Sequence, residues 1–79
     1  MSSPEYHVLI HRGDALAEVD RVLEALKRER GADADLGFHK YMYVTRAEQT
    51  VVMVSGPDSP VAVALRAGKG WTEPGTRGR

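Results

Sequence analysis

The sequence contains no cysteine, which excludes a disulfide framework and a thiolate metal site. It also lacks an excess of either charge, because eleven acidic side chains balance eleven basic ones. A dedicated nucleic-acid-binding or membrane-surface protein is therefore not expected, although this balance leaves room for a local charged patch. No apolar run in the sequence approaches the roughly 20 residues that a membrane-spanning helix needs.

The length of 79 residues is that of one small domain. A chain of this size buries only about 60% of the surface that it exposes when unfolded. We therefore expect its stability to come from the core alone or from a partner, including a second copy. Residues 1–4 contain neither the basic nor the apolar region of a secretory signal, which predicts a cytoplasmic protein. We expect a disordered lead-in over residues 1–4, a single domain over residues 5–67, and a flexible Gly/Pro/Arg tail over residues 68–79.

The segment from Asp14 to Gly31 predicts one amphipathic helix. Its apolar side chains recur at helical spacing and form one stripe: Leu16, Val19, Val22, Leu23 and Leu26. Asp14 can accept a hydrogen bond from an unpaired amide of the first turn, and Gly31 can adopt the left-handed conformation that ends many helices. Because the stripe must be buried, we expect the β-rich segments on either side to cover it.

Three segments predict β-strands, namely residues 5–12, 38–46 and 50–55. Strict alternation groups the second strand into two faces: Phe38, Lys40, Met42 and Val44 on one, and His39, Tyr41, Tyr43 and Thr45 on the other. The third strand contains Val51-Val52-Met53-Val54 and is apolar on both faces, which is typical of a central strand covered on both sides.

A short second helix is predicted for residues 61–67. Ser59 followed by Pro60 is a helix-start signature, because proline at the first helical position lacks an amide that would be unpaired anyway. Gly68 would end this helix. A fourth strand is the alternative for the same residues, because apolar side chains also alternate there.

The resulting order of strand, helix, strand, strand, helix predicts an α+β fold. We expect a small two-layer sandwich with the helices on one face of the sheet and an antiparallel hairpin for strands two and three. A short final strand near Trp71 would complete the β-α-β-β-α-β order of the ferredoxin-like fold.

The sheet face that the helices leave uncovered is the main candidate for function. If the first helix covers Val8 and Ile10, the uncovered face is lined by side chains from all three strands. These candidate interface residues are His7, Leu9, His11, Tyr41, Tyr43, Val51 and Met53. The second strand could instead present its Phe38, Lys40, Met42 and Val44 face, and the third its Val52 and Val54. In every register the face is partly apolar and aromatic, which a monomer rarely exposes, so we expect a second copy or another protein to cover it.

Candidate catalytic side chains are His39, Tyr41 and His11, because histidine and tyrosine can transfer protons. His7 and His11 have the spacing of two zinc ligands on a helix. On a strand that spacing places them roughly 13 Å apart, too far to share one ion. Without a cysteine or a nearby carboxylate cluster, neither a metal ion nor a cofactor is expected.

The segment Gly37-Phe38-His39-Lys40-Tyr41, which follows a helix and precedes a hairpin and a terminal helix, resembles the histidine motif of small toxin ribonucleases of the HicA type. The resemblance covers about a third of the chain. It implies a fold like that of double-stranded-RNA-binding domains, with His39 as general acid or base. That family has a Gly-Ser-His context, so Phe38 stands here at the serine position.

Three functions are compatible with these features. The leading hypothesis is a small protein-binding or regulatory module that acts through the apolar and aromatic sheet face and forms a homodimer. The first alternative is a dimeric α+β barrel whose two sheets enclose a small hydrophobic molecule, with a polar lining of His7, His11, His39, Tyr41 and Tyr43. The second alternative is a HicA-like ribonuclease with a basic groove beside His39.

Overall fold

The structure is a computed structural model, and it describes residues 6–74. Its elements are β1 (His7–Arg12), α1 (Leu16–Arg30), β2 (Phe38–Val44), β3 (Gln49–Val54), α2 (Pro60–Ala67) and β4 (Trp71–Thr72). The strands form one antiparallel sheet in the order β2-β3-β1-β4. The predicted two-layer α+β fold is confirmed, including the antiparallel hairpin of strands two and three. The predicted lead-in over residues 1–4 and the predicted tail beyond residue 74 lie outside the described residues.

The connections between the strands are those of the ferredoxin-like fold. β3 lies antiparallel between β1 and β2, so the strands joined by α1 run parallel with a third strand inserted between them. β4 lies antiparallel to β1 at the opposite edge. This two-residue strand comes from the segment that composition assigns to the tail, and it completes the β-α-β-β-α-β order.

Helix α1 begins at Leu16, later than Asp14, because a buried hydroxyl group from the sheet fixes the turn before it. The Thr50 hydroxyl donates to the Gly13 carbonyl oxygen at 2.8 Å and accepts from the Ala15 amide, also at 2.8 Å. Asp14 accepts a hydrogen bond from the Leu16 amide at 3.1 Å. Thr50 is fully buried, so these two hydrogen bonds anchor the start of α1 on β3.

Helix α2 confirms the predicted helix and excludes the alternative strand. The Ser59 hydroxyl accepts a hydrogen bond from the Ala62 amide at 3.2 Å, and Pro60 is the first helical residue. Val61, Ala62 and Leu65 are buried, which is helical rather than alternating spacing.

Both helices pack on the same face of the sheet, and the core lies between the two layers. Leu9, Val52 and Val54 from the sheet meet Val19, Val61 and Leu65 from the helices, and all six are fully buried. β1 therefore directs Leu9 toward the helices, and the assumption that α1 covers Val8 and Ile10 is wrong. The physical reason is Thr50, which must face the helix layer to bond the turn that precedes α1. The register sets Leu9 opposite Val52, on the same side as Thr50.

Strand β2 contains a bulge that strict alternation does not predict. Phe38 pairs with Val54, whereas Lys40 pairs with Met53, so the extra residue His39 has no partner in β3. Phe38 consequently lies on the helix side together with Tyr41, and their ring centroids are 5.6 Å apart in an edge-to-face contact. The predicted grouping of Phe38 with Lys40 is wrong for this reason.

Candidate functional site

The side of the sheet opposite the helices carries a continuous set of apolar side chains. We call it the open face and define it by Val8, Ile10, Met42, Val44, Val51 and Met53. Val51 lies at its centre, with Ile10 opposite on β1 and Met42 opposite on β2. Each of the six is at least partly exposed, and 41% of the surface of Met42 is accessible. Cross-strand apolar rows of this kind are typical of a surface that another molecule covers.

Polar side chains border the open face at both of its ends. At one end the rings of Tyr6 and His39 stack, with their centroids 4.3 Å apart, next to Lys40. The bulge in β2 allows His39 to reach this side of the sheet. At the other end Arg12 of β1 lies opposite Gln49 of β3. An apolar centre with a polar border is the usual composition of a protein–protein interface.

The predicted interface residues fall on both sides of the sheet. Val51 and Met53 lie on the open face. Leu9 is part of the core and fully buried, so it cannot contact a partner there. The remaining four, His7, His11, Tyr41 and Tyr43, lie on the helix side by register. The side chains that take their place are Val8, Ile10, Met42 and Val44.

The candidate catalytic residues do not converge on one centre. His39 is exposed on the open side, whereas Tyr41 and His11 lie on the helix side, on strands that β3 separates. The Tyr41 hydroxyl donates to the Asp20 carboxylate at 2.6 Å, and this hydrogen bond raises the pKa of Tyr41 above its usual value. The His11 ring donates through Nδ1 to the Arg12 carbonyl oxygen and contacts Trp71 edge to face. Each of the three groups therefore has a separate environment.

A metal site is likewise not found among residues 6–74, where no group of three or more histidine, aspartate or glutamate side chains is arranged around one point. His7 and His11 have different partners, which are Glu73 and the Arg12 backbone.

A charged cluster that the sequence did not reveal joins the end of β4 to the rest of the fold. His7 Nε2 donates to Glu73 at 2.6 Å, and Arg66 donates to both carboxylate oxygens of Glu73, at 2.6 Å and 2.8 Å. Arg66 also donates to the Pro57 carbonyl oxygen at 2.7 Å. The hydrogen bonds from Arg66, and next the one from His7, lower the pKa of Glu73 to about 2. His7 is buried, and its Nδ1 has no hydrogen-bond partner among residues 6–74. Through Glu73, the cluster ties the segment after β4 to β1 and α2.

Glu73→Gln is expected to lower the free energy of unfolding in a pH-dependent way. The pKa of Glu73 falls from its ordinary 4.5 to about 2 on folding, so the ionised carboxylate stabilises the folded state fully above about pH 4.5. This contribution is lost as the pH falls through about 2. Urea unfolding of both proteins from neutral to acidic pH should show a difference in the free energy of unfolding that shrinks toward zero.

Glu29→Gln, at an exposed position of α1, is the control and should leave the pH profile of stability unchanged. If the wild type is no more stable than Glu73→Gln, or is more stable by the same amount at every pH, then Glu73 is not held by His7 and Arg66 in the folded protein.

The chain is thus a small α+β protein of ferredoxin-like topology, with one apolar sheet face that no helix or strand among residues 6–74 covers. Comparison with protein-family models, with curated proteins and with solved structures gives no match. Between residues 6 and 74 there is no helix whose length and apolar character would let it span a membrane.

Proposed function

We propose that this protein is a small interaction module, without chemistry of its own, that associates with a second copy through the open face. The observation that supports this proposal is the open face itself: six large apolar side chains, in register on three strands, on the side that neither helix covers. Removing apolar surface from water contributes about 25 cal/mol per Å², so covering this face is strongly favourable.

A second copy suits the open face in both shape and charge. Two sheets of this kind can pack face to face at a separation of about 10 Å, with their apolar side chains interdigitating. Val51 would then lie near the two-fold axis, while Lys40 and Arg12 stay at the solvent-accessible border. Because the net charge of the chain is zero, two copies do not repel each other over long distances. Cyclic dimers are also the commonest assemblies of soluble proteins.

Light scattering coupled to size-exclusion chromatography tests this proposal. We expect the molar mass to be a multiple of the monomer's 8.7 kDa, and to fall toward that value as the protein is diluted. A mass of 8.7 kDa at every concentration would contradict self-association and would leave a foreign partner as the occupant of the open face.

The two alternative functions receive less support from the geometry. A ligand chamber between two open faces would lack most of its predicted polar lining, because His7, His11, Tyr41 and Tyr43 lie on the helix side. The ribonuclease alternative depends on His39, which is exposed at the sheet edge and stacked on Tyr6. The double-stranded-RNA-binding-like fold that the resemblance implies also differs from the β-α-β-β-α-β order of this chain.

A further inference from the structure

One edge of the sheet is long and unpaired within the described structure. β2 has seven residues and forms this edge, whereas β4 at the other edge has two. β2 pairs with β3 on one side, and no backbone hydrogen bond from residues 6–74 reaches its other side. An edge strand of this length presents a row of free N–H and C=O groups to any strand that approaches it.

The second half of β2 lacks the features that usually prevent such pairing. Natural edge strands are protected by charged side chains, by proline, by bulges or by a covering element. The bulge and Lys40 both lie in the first half of β2. Residues 41–44 have the sequence Tyr-Met-Tyr-Val, without charge, proline or glycine, and aromatic and β-branched residues favour strand pairing.

We propose that β2 pairs with β2 of a second copy, antiparallel and about a two-fold axis at Met42. In this register Met42 lies opposite the partner's Met42, and Tyr41 lies opposite the partner's Tyr43. Cross-strand aromatic pairs stabilise antiparallel strands. Lys40 lies opposite the partner's Val44, so no two like charges face each other. A second copy is the occupant because the segment from Lys40 to Val44 is complementary to itself.

This contact shares with the proposed function the premise that the partner is a second copy, but it uses a different surface. The two-fold axis at Met42 is perpendicular to the sheet, so the open faces of the two copies lie on the same side. The four strands of each copy then join into one eight-stranded sheet with a doubled open face. Face-to-face packing of two such sheets gives a tetramer with two kinds of isologous interface.

A single introduced cysteine tests the register, because the chain has none of its own. Residues directly opposite in an antiparallel pair have Cα atoms about 4.5–5.5 Å apart, which is within disulfide range. Met42→Cys should therefore form a disulfide-linked species of twice 8.7 kDa on mild oxidation. Lys40→Cys, an exposed position on the same strand, is the control. Its two copies would be roughly 13 Å apart, so it should stay unlinked.

The same cross-linking experiment in a Val51→Lys background distinguishes the contact at the β2 edge from the contact between open faces. That substitution places a charge at the centre of the open face, on β3, which does not form the β2 edge. Cross-linking of Met42→Cys that persists in this background supports the edge contact. Cross-linking that Val51→Lys abolishes assigns Met42 to the face-to-face contact, which overturns the edge pairing and supports the proposed function. Absence of the Met42→Cys cross-link, or an equal yield for Lys40→Cys, overturns the edge pairing whatever the molar mass of the wild type is.

Discussion

Gly37→Ala is expected to lower the free energy of unfolding by about 2–5 kcal/mol, a large part of the total. Gly37 has φ of +69°, and a Cβ added there would lie 2.2 Å from the Ser59 Cβ and 2.9 Å from the Ser55 Oγ. Ser59 caps α2, and the Gly37 carbonyl oxygen accepts a hydrogen bond from the Ser55 amide at 2.8 Å, so neither neighbour can move away without loss. Left-handed backbone costs a non-glycine residue about 1–2 kcal/mol, and overpacking adds about 1–3 kcal/mol. The total free energy of unfolding of a domain of this length is only about 4–12 kcal/mol.

Gly13→Ala is the matched control for Gly37→Ala. Gly13 also has a positive φ, of +82°, but a Cβ added there would meet no heavy atom within 4 Å. Gly13→Ala should therefore lower the free energy of unfolding only by the cost of the left-handed backbone, about 1–2 kcal/mol. Urea unfolding followed by circular dichroism measures both variants. Equal losses for the two would show that the close approach of Gly37 to Ser59 does not exist in the folded protein.

Val51→Lys is expected to halve the molar mass of the assembly while leaving the fold intact. Val51 lies at the centre of the open face and is only half-buried in the single chain, so a lysine there can extend into solvent. In a face-to-face assembly the same ammonium group would be buried without a partner, which costs several kcal/mol. We therefore expect the dissociation constant of the face-to-face contact to rise by at least about 100-fold.

Val63→Lys is the matched control, because it makes the same substitution on the opposite side of the molecule. Val63 is 51% exposed on α2. Light scattering at one concentration should give the wild-type mass for Val63→Lys and half of it for Val51→Lys, with similar thermal unfolding for both. If Val51→Lys keeps the full mass, or if Val63→Lys loses it as well, the open face is not the contact surface.

Local sequence signals were sufficient for the helices and for the hairpin. The stripe from Leu16 to Leu26 predicts α1, and the Ser59-Pro60 pair predicts the start of α2, because caps and helical periodicity involve only neighbouring residues. The order of elements then restricts the sheet to few topologies, which is why the two-layer α+β fold was predictable.

The orientation of β1 was not predictable from its own residues, because both of its faces carry apolar side chains. A contact between distant segments decides it: the Thr50 hydroxyl on β3 holds Gly13 and Ala15 at the start of α1. Thr50, a polar residue next to the apolar run of β3, is the signal that points to this face. The bulge at His39 similarly depends on the pairing with β3. A one-residue change of register moves every side chain of a strand to the other face of the sheet. The orientation of β1 and the bulge at His39 therefore decide which residues of these strands lie on the open face.

The charged cluster was not predictable for a related reason. His7, Arg66 and Glu73 come from β1, α2 and the segment after β4, and only the folded sheet brings them together. Nothing in the local sequence around Glu73 distinguishes it from a solvated residue of a flexible tail.

The contact between two open faces can be tested most directly by NMR on a mixture of isotope-labelled and unlabelled chains. Nuclear Overhauser effects that cross from one chain to the other report protons in contact within the assembly. We predict such effects for the methyl groups of Val8, Val51 and Met53, and none for those of Val63 on α2. Intermolecular effects confined to α2 or to the edge of β2, with none on the open face, would contradict the central claim.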